Sequence, residues 1–462
     1  MVRPGLGREY GPAAPVIRVT APTLDLKTGR LIERPGFDRE TGLFLDYDGR
    51  CPDVPETPNL DDVRAAVNVL WRPFAEFPFR SALDASVVFG LLLLATVRQA
   101  LPTAPGHAVN APAAGSGKTL LAMCACRLAG ARFPTVLPGV DGDELRKRLL
   151  TIGRLAVLGA VFDNLFGRFG SDALCAWLTS PWFEDRILGA SASVRVPTSM
   201  MLLLTGNNLI LVGDLCRRVL PAHLDPQCET PWRRAFAVDP LEHVEKHRLE
   251  MVAAGLTVLR WALGRPRSFC DRTASFELWS DTVRHAVVEV GREGFMELPD
   301  PCNAIDTSFE TDPDTLKLGA LLAAWDAHGF DRPQSVAEIL DACGRAPDLE
   351  DAVDEIAGER GQINRRRLGR WIESRAGRIV NGLRFRRAGT RQGVSLWAVE
   401  KTHETPVSVG VVGDVVFFPP TRAEKNSGDD SRTHTTENTR GGLGSNISHE
   451  TPKTHGRDEA LI

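Results

Sequence analysis

Apolar residues recur along this chain in two rhythms. Between residues 105 and 240, short apolar runs alternate with helix-like stretches, the arrangement of a parallel sheet wrapped by helices. Gly106–Asn110, Leu155–Phe162 and Met200–Leu204 read as buried strands, and Leu120–Leu128 reads as the helix that follows the first of them. Upstream, Leu60–Arg72 carries helical patterning. Val87–Val97 is apolar almost throughout, yet far short of the roughly 20 residues that span a bilayer, so it reads as a buried helix packed beside the sheet. Downstream, Val244, Met251, Val252, Val258, Leu259 and Leu263 fall on one helical face, which Gly264 closes. Asp312–Pro313 opens a helix that stops near Gly329. Ser335 with Glu338 forms a capping-box pattern for another. Asn364 caps a helix over Arg365–Arg375, with Leu368, Trp371 and Ile372 facing inward, and Arg378–Arg386 and Gly393–Val399 follow as two strands.

These patterns divide the 462 residues into an irregular lead-in (1–59), a sheet-and-helix core with its preceding helices (60–240), a helical region (241–334), a basic module (335–400) and a tail (401–462). Residues 421–458 hold almost nothing apolar and cannot offset the entropy of ordering, so the tail reads as disordered.

Composition narrows the picture little: 43% apolar, 25% charged and a net charge of −4 describe a globular chain whose nucleic-acid contacts, if any, are local patches. Nine cysteines are scattered without zinc spacing, as in the reduced interior of a cytoplasmic protein. Met1–Arg8 lacks the apolar core of a signal peptide, and no membrane partner is expected.

The chemistry concentrates at residues 112–119. Ala114, Gly115, Ser116, Gly117, Lys118, Thr119 and Leu120 match the phosphate-cradling half of a P-loop, between a strand and a helix as that motif requires. Glycines let successive N–H groups turn toward an anion, Lys118 places an ammonium on the β- and γ-phosphates, and Thr119 offers a hydroxyl to Mg²⁺. Pro112 stands where the motif has its first glycine, and it fixes φ and removes a donor.

A nucleotide-hydrolysing site needs a second acidic element. The strand after Leu155 ends in Asp163, a metal-holding carboxylate at the carboxyl edge of the sheet. Asn164 follows where a proton-accepting Glu is common, so it positions water or leaves activation to another carboxylate, with Glu144 the candidate. The next strand ends in Asn207 and Asn208, and Asn207 is placed to contact the γ-phosphate or the water. Arg217 and Arg218 suit an arginine finger supplied to a neighbouring subunit, or else a surface ion-pair network. Arg186–Pro197 reads as a hairpin, either a DNA-gripping element carrying Arg186 and Arg195 or an ordinary edge.

Together these stretches resemble AAA+-type P-loop ATPases of phages, plasmids and integrated elements, the helicase part of primase–helicase proteins. The likeness covers most of residues 35–400, including the P-loop, Phe162–Asn164, Thr205–Leu209, Gly213–Val219, Arg365–Ile372 and Val394–Val399. It implies an α/β fold of P-loop NTPase type, AAA+-like; the helical domain and the C-terminal helices followed by a two-stranded wing, a winged-helix-like module, are read from the residues themselves. The resemblance also implies ATP and Mg²⁺ as cofactors, a ring of identical subunits, DNA as partner and a role in replicating a mobile element. No primase signature is present, so priming would belong to a separate protein. A loader or remodeller that hydrolyses ATP without unwinding is the alternative, and a small-molecule kinase is disfavoured by the Arg pair and the basic module.

That module is the other concentration of chemistry. Residues 360–391 contain eleven arginines and one acid, Glu373. Arg365, Arg366, Arg367, Arg370, Arg386 and Arg387 are candidate contacts to DNA phosphates, single- or double-stranded, with a structural lid as the competing reading.

Overall fold

Strands too apolar to face water set the architecture. In the computed structural model, residues 16–48, 50–138, 142–186 and 193–402 are described. Five strands, β1 (Gly106–Ala111), β2 (Thr135–Pro138), β3 (Gly159–Phe169), β4 (Met201–Leu211) and β5 (Val219–His223), form one parallel sheet in the order β5-β1-β4-β3-β2. Strand β1, second in that order, is buried at every position, which fits a strand flanked on both edges and covered on both faces.

Helices complete the layers. Leu60–Trp71 (α1) opens with Asn59 and Asp62 in a reciprocal capping box. Ala82–Val97 (α2) is buried on nearly every side; it is apolar enough by composition to cross a membrane, and its position inside the core accounts for that composition. Lys118–Leu128 (α3) follows β1, Gly142–Arg154 (α4) follows β2, and Asp172–Thr179 (α5) follows β3. Pro240–Leu263 (α6), capped by Asp239, packs along α1 and α3. His285–Arg292 (α7) and Asn303–Thr311 (α8) close this part of the molecule. One hydrophobic cluster, with buried members from Ala21 to Ala304, unites these elements.

A second cluster binds the elements that follow: Pro313–His328 (α9), Val336–Cys343 (α10), Pro347–Ala357 (α11), Arg365–Arg375 (α12) and an antiparallel pair, Leu383–Arg391 (β6) with Val394–Lys401 (β7). The caps read from sequence are present: Asp312 and left-handed Gly329 bound α9, the Ser335–Glu338 box opens α10, and Asn364 accepts from the Arg367 amide. Asp314 joins the two parts, pairing with Arg168 of β3 at 3.1 Å and with Arg375 of α12 at 3.0 Å.

Several expectations need correction. The strands carrying Asp163 and Asn207 do not end there. β3 runs on to Phe169 and β4 to Leu211, and each accommodates an extra residue in a bulge. One bulge lies between Phe162 and Leu165, the other between Asn207 and Ile210. The left-handed residues in them are Asn164 (φ 58°) and Asn208 (φ 49°), a conformation that asparagine tolerates better than branched residues. The first strand of the C-terminal pair begins at Leu383 rather than Arg378. Asn381 (φ 51°) and Gly382 (φ 73°) make a tight turn that pairs Val380 with Leu383, the two positive φ angles of a type I′ hairpin turn. The lead-in is more regular than expected: Ile17–Val19 runs parallel to Leu43–Leu45, around a small core of Val19, Ile32, Leu43 and Leu45. Residues 403–462, including most of the expected tail, lie outside the described residues.

Candidate nucleotide site

Between β1 and α3 the backbone turns back on itself through Gly115 (φ 77°) and Gly117 (φ 91°), torsions that glycine adopts without strain. Nothing larger than a bare backbone fits at Gly115: an added Cβ would lie 3.2 Å from the Trp232 amide nitrogen. Gly117 forms the N-cap of α3, with no side chain bonded to the first-turn amides of Lys118, Thr119 and Leu120. Those amides and the helix dipole face the concave side of the loop, a geometry that favours an anion. Ser116 ties the loop internally, its hydroxyl donating to the Ala113 carbonyl at 2.7 Å. Pro112 and Ala114 are exposed in the loop.

Lys118 is only 7% exposed and donates from Nζ to the same Ala113 carbonyl at 2.9 Å. Burial pushes its pKa below the ordinary lysine value, and the nearby Asp163 carboxylate opposes that shift. A desolvated ammonium with one neutral acceptor is short of negative charge, which an anion on the loop would supply.

Asp163 is the hub of the rim. The Thr119 hydroxyl donates to its Oδ1 at 2.7 Å, the Thr205 hydroxyl donates to the same oxygen, and Asn164 Nδ2 donates to Oδ2 at 3.1 Å. The bulge makes this possible: it lets Asn164 turn back on its neighbour while the Asn164 amide reaches Thr205 Oγ1 at 3.4 Å. Asn207 lies two residues beyond Thr205, hence on the same face of β4, and in register with Ala111 at the end of β1. Its Oδ1 is buried and, among the described residues, without a hydrogen-bond partner. Asn208 is exposed on the second bulge. Lys118, Thr119, Asp163, Asn164 and Asn207 therefore meet at one rim of the sheet.

Two residues there escaped the sequence reading. Thr205 is 1% exposed, and period-two alternation with Asn207 is the signal that marks it. Asn110, buried in β1, accepts from the Leu209 amide at 3.0 Å and donates to the Leu209 carbonyl at 2.9 Å, clamping the β4 bulge to the base of the loop. A polar residue closing an otherwise apolar strand is its signature.

The remaining candidates lie elsewhere. Glu144 pairs with Arg148 at 3.2 Å on the outer face of α4. Arg217 and Arg218 precede β5, and the Arg218 carbonyl accepts from Gly106 at the start of β1. They stand at the sheet edge opposite the loop, so they contact no phosphate bound in their own chain. Both grasp Asp214; Arg218 is the more buried, with a side chain 13% exposed against 42% for Arg217. The hairpin forms as Trp182–Arg186 against Ser193–Pro197, with Arg195 over the Trp182 ring at 5.4 Å and Arg186 exposed; its tip, residues 187–192, lies outside the described residues.

In the C-terminal part, Arg375, Arg378, Arg384 and Arg391 are paired with Asp314, Asp312, Glu400 and Glu338. Arg387 lies 3.8 Å from Glu373 and also donates to Ser395. Among the described residues, Arg365, Arg366, Arg367, Arg370 and Arg386 make no ion pair, and they leave one face of α12 and the start of the hairpin cationic.

No protein-family profile and no curated protein matches this sequence. Among solved structures, the chain is similar to the apo C-terminal region of NrS-1, at 11% identity and a TM-score of 0.34, covering 79% of this chain and 82% of that one. It is also similar to JCV helicase, at 14% identity and a TM-score of 0.24, covering 54% of this chain and 66% of that one.

Proposed function

We propose that this chain is an ATP-hydrolysing DNA helicase or translocase that acts as an oligomeric ring, in the replication of a mobile genetic element. The observation that carries the reading is the 2.7 Å bond from Thr119 to Asp163, made beside a left-handed glycine loop that buries Lys118. A serviceable surface turn has no use for a desolvated lysine, nor for a carboxylate presented by a strand bulge.

The chain's own groups divide the work. The amides of residues 115–120 and the Lys118 ammonium bind the β- and γ-phosphates. Asn207, with its free buried Oδ1, orients the attacking water, and Asn164 holds the carboxylate beside it. The Thr119 hydroxyl and the Asp163 carboxylate are hard oxygen donors that fit Mg²⁺; when bound, that ion neutralises charge on the phosphate oxygens. The arginine at the far sheet edge, Arg217 or Arg218, reaches the site of a neighbouring copy and stabilises the transition-state charge. The helices α10–α12 and the β6–β7 wing act as a winged-helix-like module. Its unpaired arginines, with Arg387, meet DNA phosphates, and Arg186 and Arg195 on the internal hairpin add a second contact. A separate primase completes the replication partnership.

Unwinding of forked DNA with ATP and Mg²⁺ tests the reading. Wild-type protein displaces the strand, whereas Lys118→Ala and Arg218→Ala do not. Mixing the two variants restores part of the activity if sites are shared between subunits. ATP turnover with no strand displacement at any protein concentration identifies a loader or remodeller instead.

A further inference from the structure

We infer that Trp232 is the stacking platform for the base of the bound nucleotide, and that the base is a purine. The inference rests on the phosphate-binding reading of residues 112–119. In the sheet order, Asp163 and Thr205 lie on β3 and β4, to one side of β1. A triphosphate seated on the loop has its γ end toward those residues, so its base end leaves toward the opposite side, that of β5.

The chain after β5 returns to that place. The Leu224 amide donates to Asn110 at 2.8 Å and the Asp225 amide to Pro78 at 2.7 Å, and residues 231–233 then make a single turn against the loop. A Cβ on Gly115 would stand 2.9 Å from the Cβ of Trp232. The tryptophan is thus part of the loop's own wall.

The residue is nonetheless 64% exposed. Leaving so large an apolar ring in water is unfavourable, and the local fold does not depend on it. The segment is fixed by other contacts: Arg234 donates to the Glu76 carbonyl at 2.6 Å, the Ala237 amide donates to the Glu76 carboxylate at 2.9 Å, and the Phe236 ring lies 5.0 Å from that of Phe77. Phe77 in turn backs the loop, 3.2 Å from where a Gly117 Cβ would be. A flat apolar ring, open to solvent and carried by a turn whose backbone and Cβ lie against the phosphate cradle, is what base stacking requires. Purines offer it a larger face than pyrimidines.

Equilibrium binding of ATP and of inorganic tripolyphosphate, each with Mg²⁺, tests this on the full chain. Trp232→Ala weakens ATP binding by roughly tenfold, the scale of one lost base–aromatic stack, and leaves tripolyphosphate binding unchanged. Trp232→Phe recovers most of the loss, and in turnover the →Ala change raises KM with kcat preserved. The same change narrows the preference for ATP and GTP over CTP and UTP. Equal weakening of both ligands, or no change in ATP binding, overturns the proposal. Tripolyphosphate binding that survives Lys118→Ala overturns the loop reading beneath it, and the proposal falls with it.

Discussion

The loop rim and the arginine-rich module are both polar, but their polar groups are organised in opposite ways. At the rim the groups answer one another, Asn207 Oδ1 excepted: Thr119, Thr205 and Asn164 converge on one carboxylate, Asn110 clamps the bulge above it, and Lys118 is folded onto the loop's own carbonyl. In the module, part of the charge is spent on ion pairs that hold the fold together, as between Arg375 and Asp314, while Arg365, Arg366, Arg367, Arg370 and Arg386 make no ion pair among the described residues. The rim works by position and the module by accumulated charge. A single substitution should therefore be ruinous at the first and graded at the second.

The largest expected effect is at Lys118. Lys118→Ala lowers ATP turnover by on the order of a thousandfold, the scale of losing a pre-organised charge at a reacting phosphate, while DNA binding measured by anisotropy stays within a factor of two or so. Loss of DNA binding in parallel would mean that the two regions are not separate devices. Next is Thr205→Val, which removes the second hydroxyl on Asp163 without changing shape. It reduces kcat by about ten- to a hundredfold and weakens the apparent Mg²⁺ affinity, as changes behind a metal ligand do. An unchanged Mg²⁺ titration contradicts the role given to that hydroxyl.

A pH experiment probes the sheet beneath the loop. His107 on β1 is 2% exposed, and burial pushes its pKa down to about 3. The unfolded chain takes up a proton near pH 6.5 and the folded chain does not, so stability falls as pH drops from about 6.5 toward 3, by up to about 1.4 kcal/mol per pH unit. His107→Leu flattens that part of the acid-unfolding profile. An unaltered slope in the variant would contradict the part given to the buried His107. The smallest effect is at a single arginine. Arg370→Ala lowers the slope of log affinity against log salt by about one and weakens DNA binding only severalfold, and each further loss at Arg365, Arg366 or Arg367 adds a similar step. A collapse on the first substitution would point to a positioned contact rather than pooled charge.

What could be read from the sequence follows the same division. The loop, the helix behind it and the caps at Asp312, Ser335 and Asn364 are local, each specified by residues within a few positions of one another, and the structure has them where the spacing puts them. The arginine surplus is visible by counting, but which arginines are free is not, because Asp312, Asp314, Glu338 and Glu400 reach them from distant segments. The bulges were hidden for a similar reason. A buried run that turns polar at Asp163 looks like a strand end, and only pairing with β4 reveals that it continues with one residue looped out. Asn381–Gly382 carried a strong turn signal inside an otherwise strand-like run, and that signal decides where β6 begins. Trp232 could not be placed at all, since its nearness to Gly115 depends on how the chain returns after β5.

The most direct test is Mg²⁺-dependent release of phosphate from ATP by the purified chain, with DNA present, compared between wild type and Asp163→Asn. The substitution preserves the shape and hydrogen-bonding reach of the side chain while removing its charge. If a carboxylate-held metal serves a phosphate seated on the loop, wild type hydrolyses ATP and the variant retains nucleotide binding with turnover reduced at least a hundredfold or so. Equal turnover in the two proteins, or none in wild type at any Mg²⁺ or DNA concentration, contradicts the account.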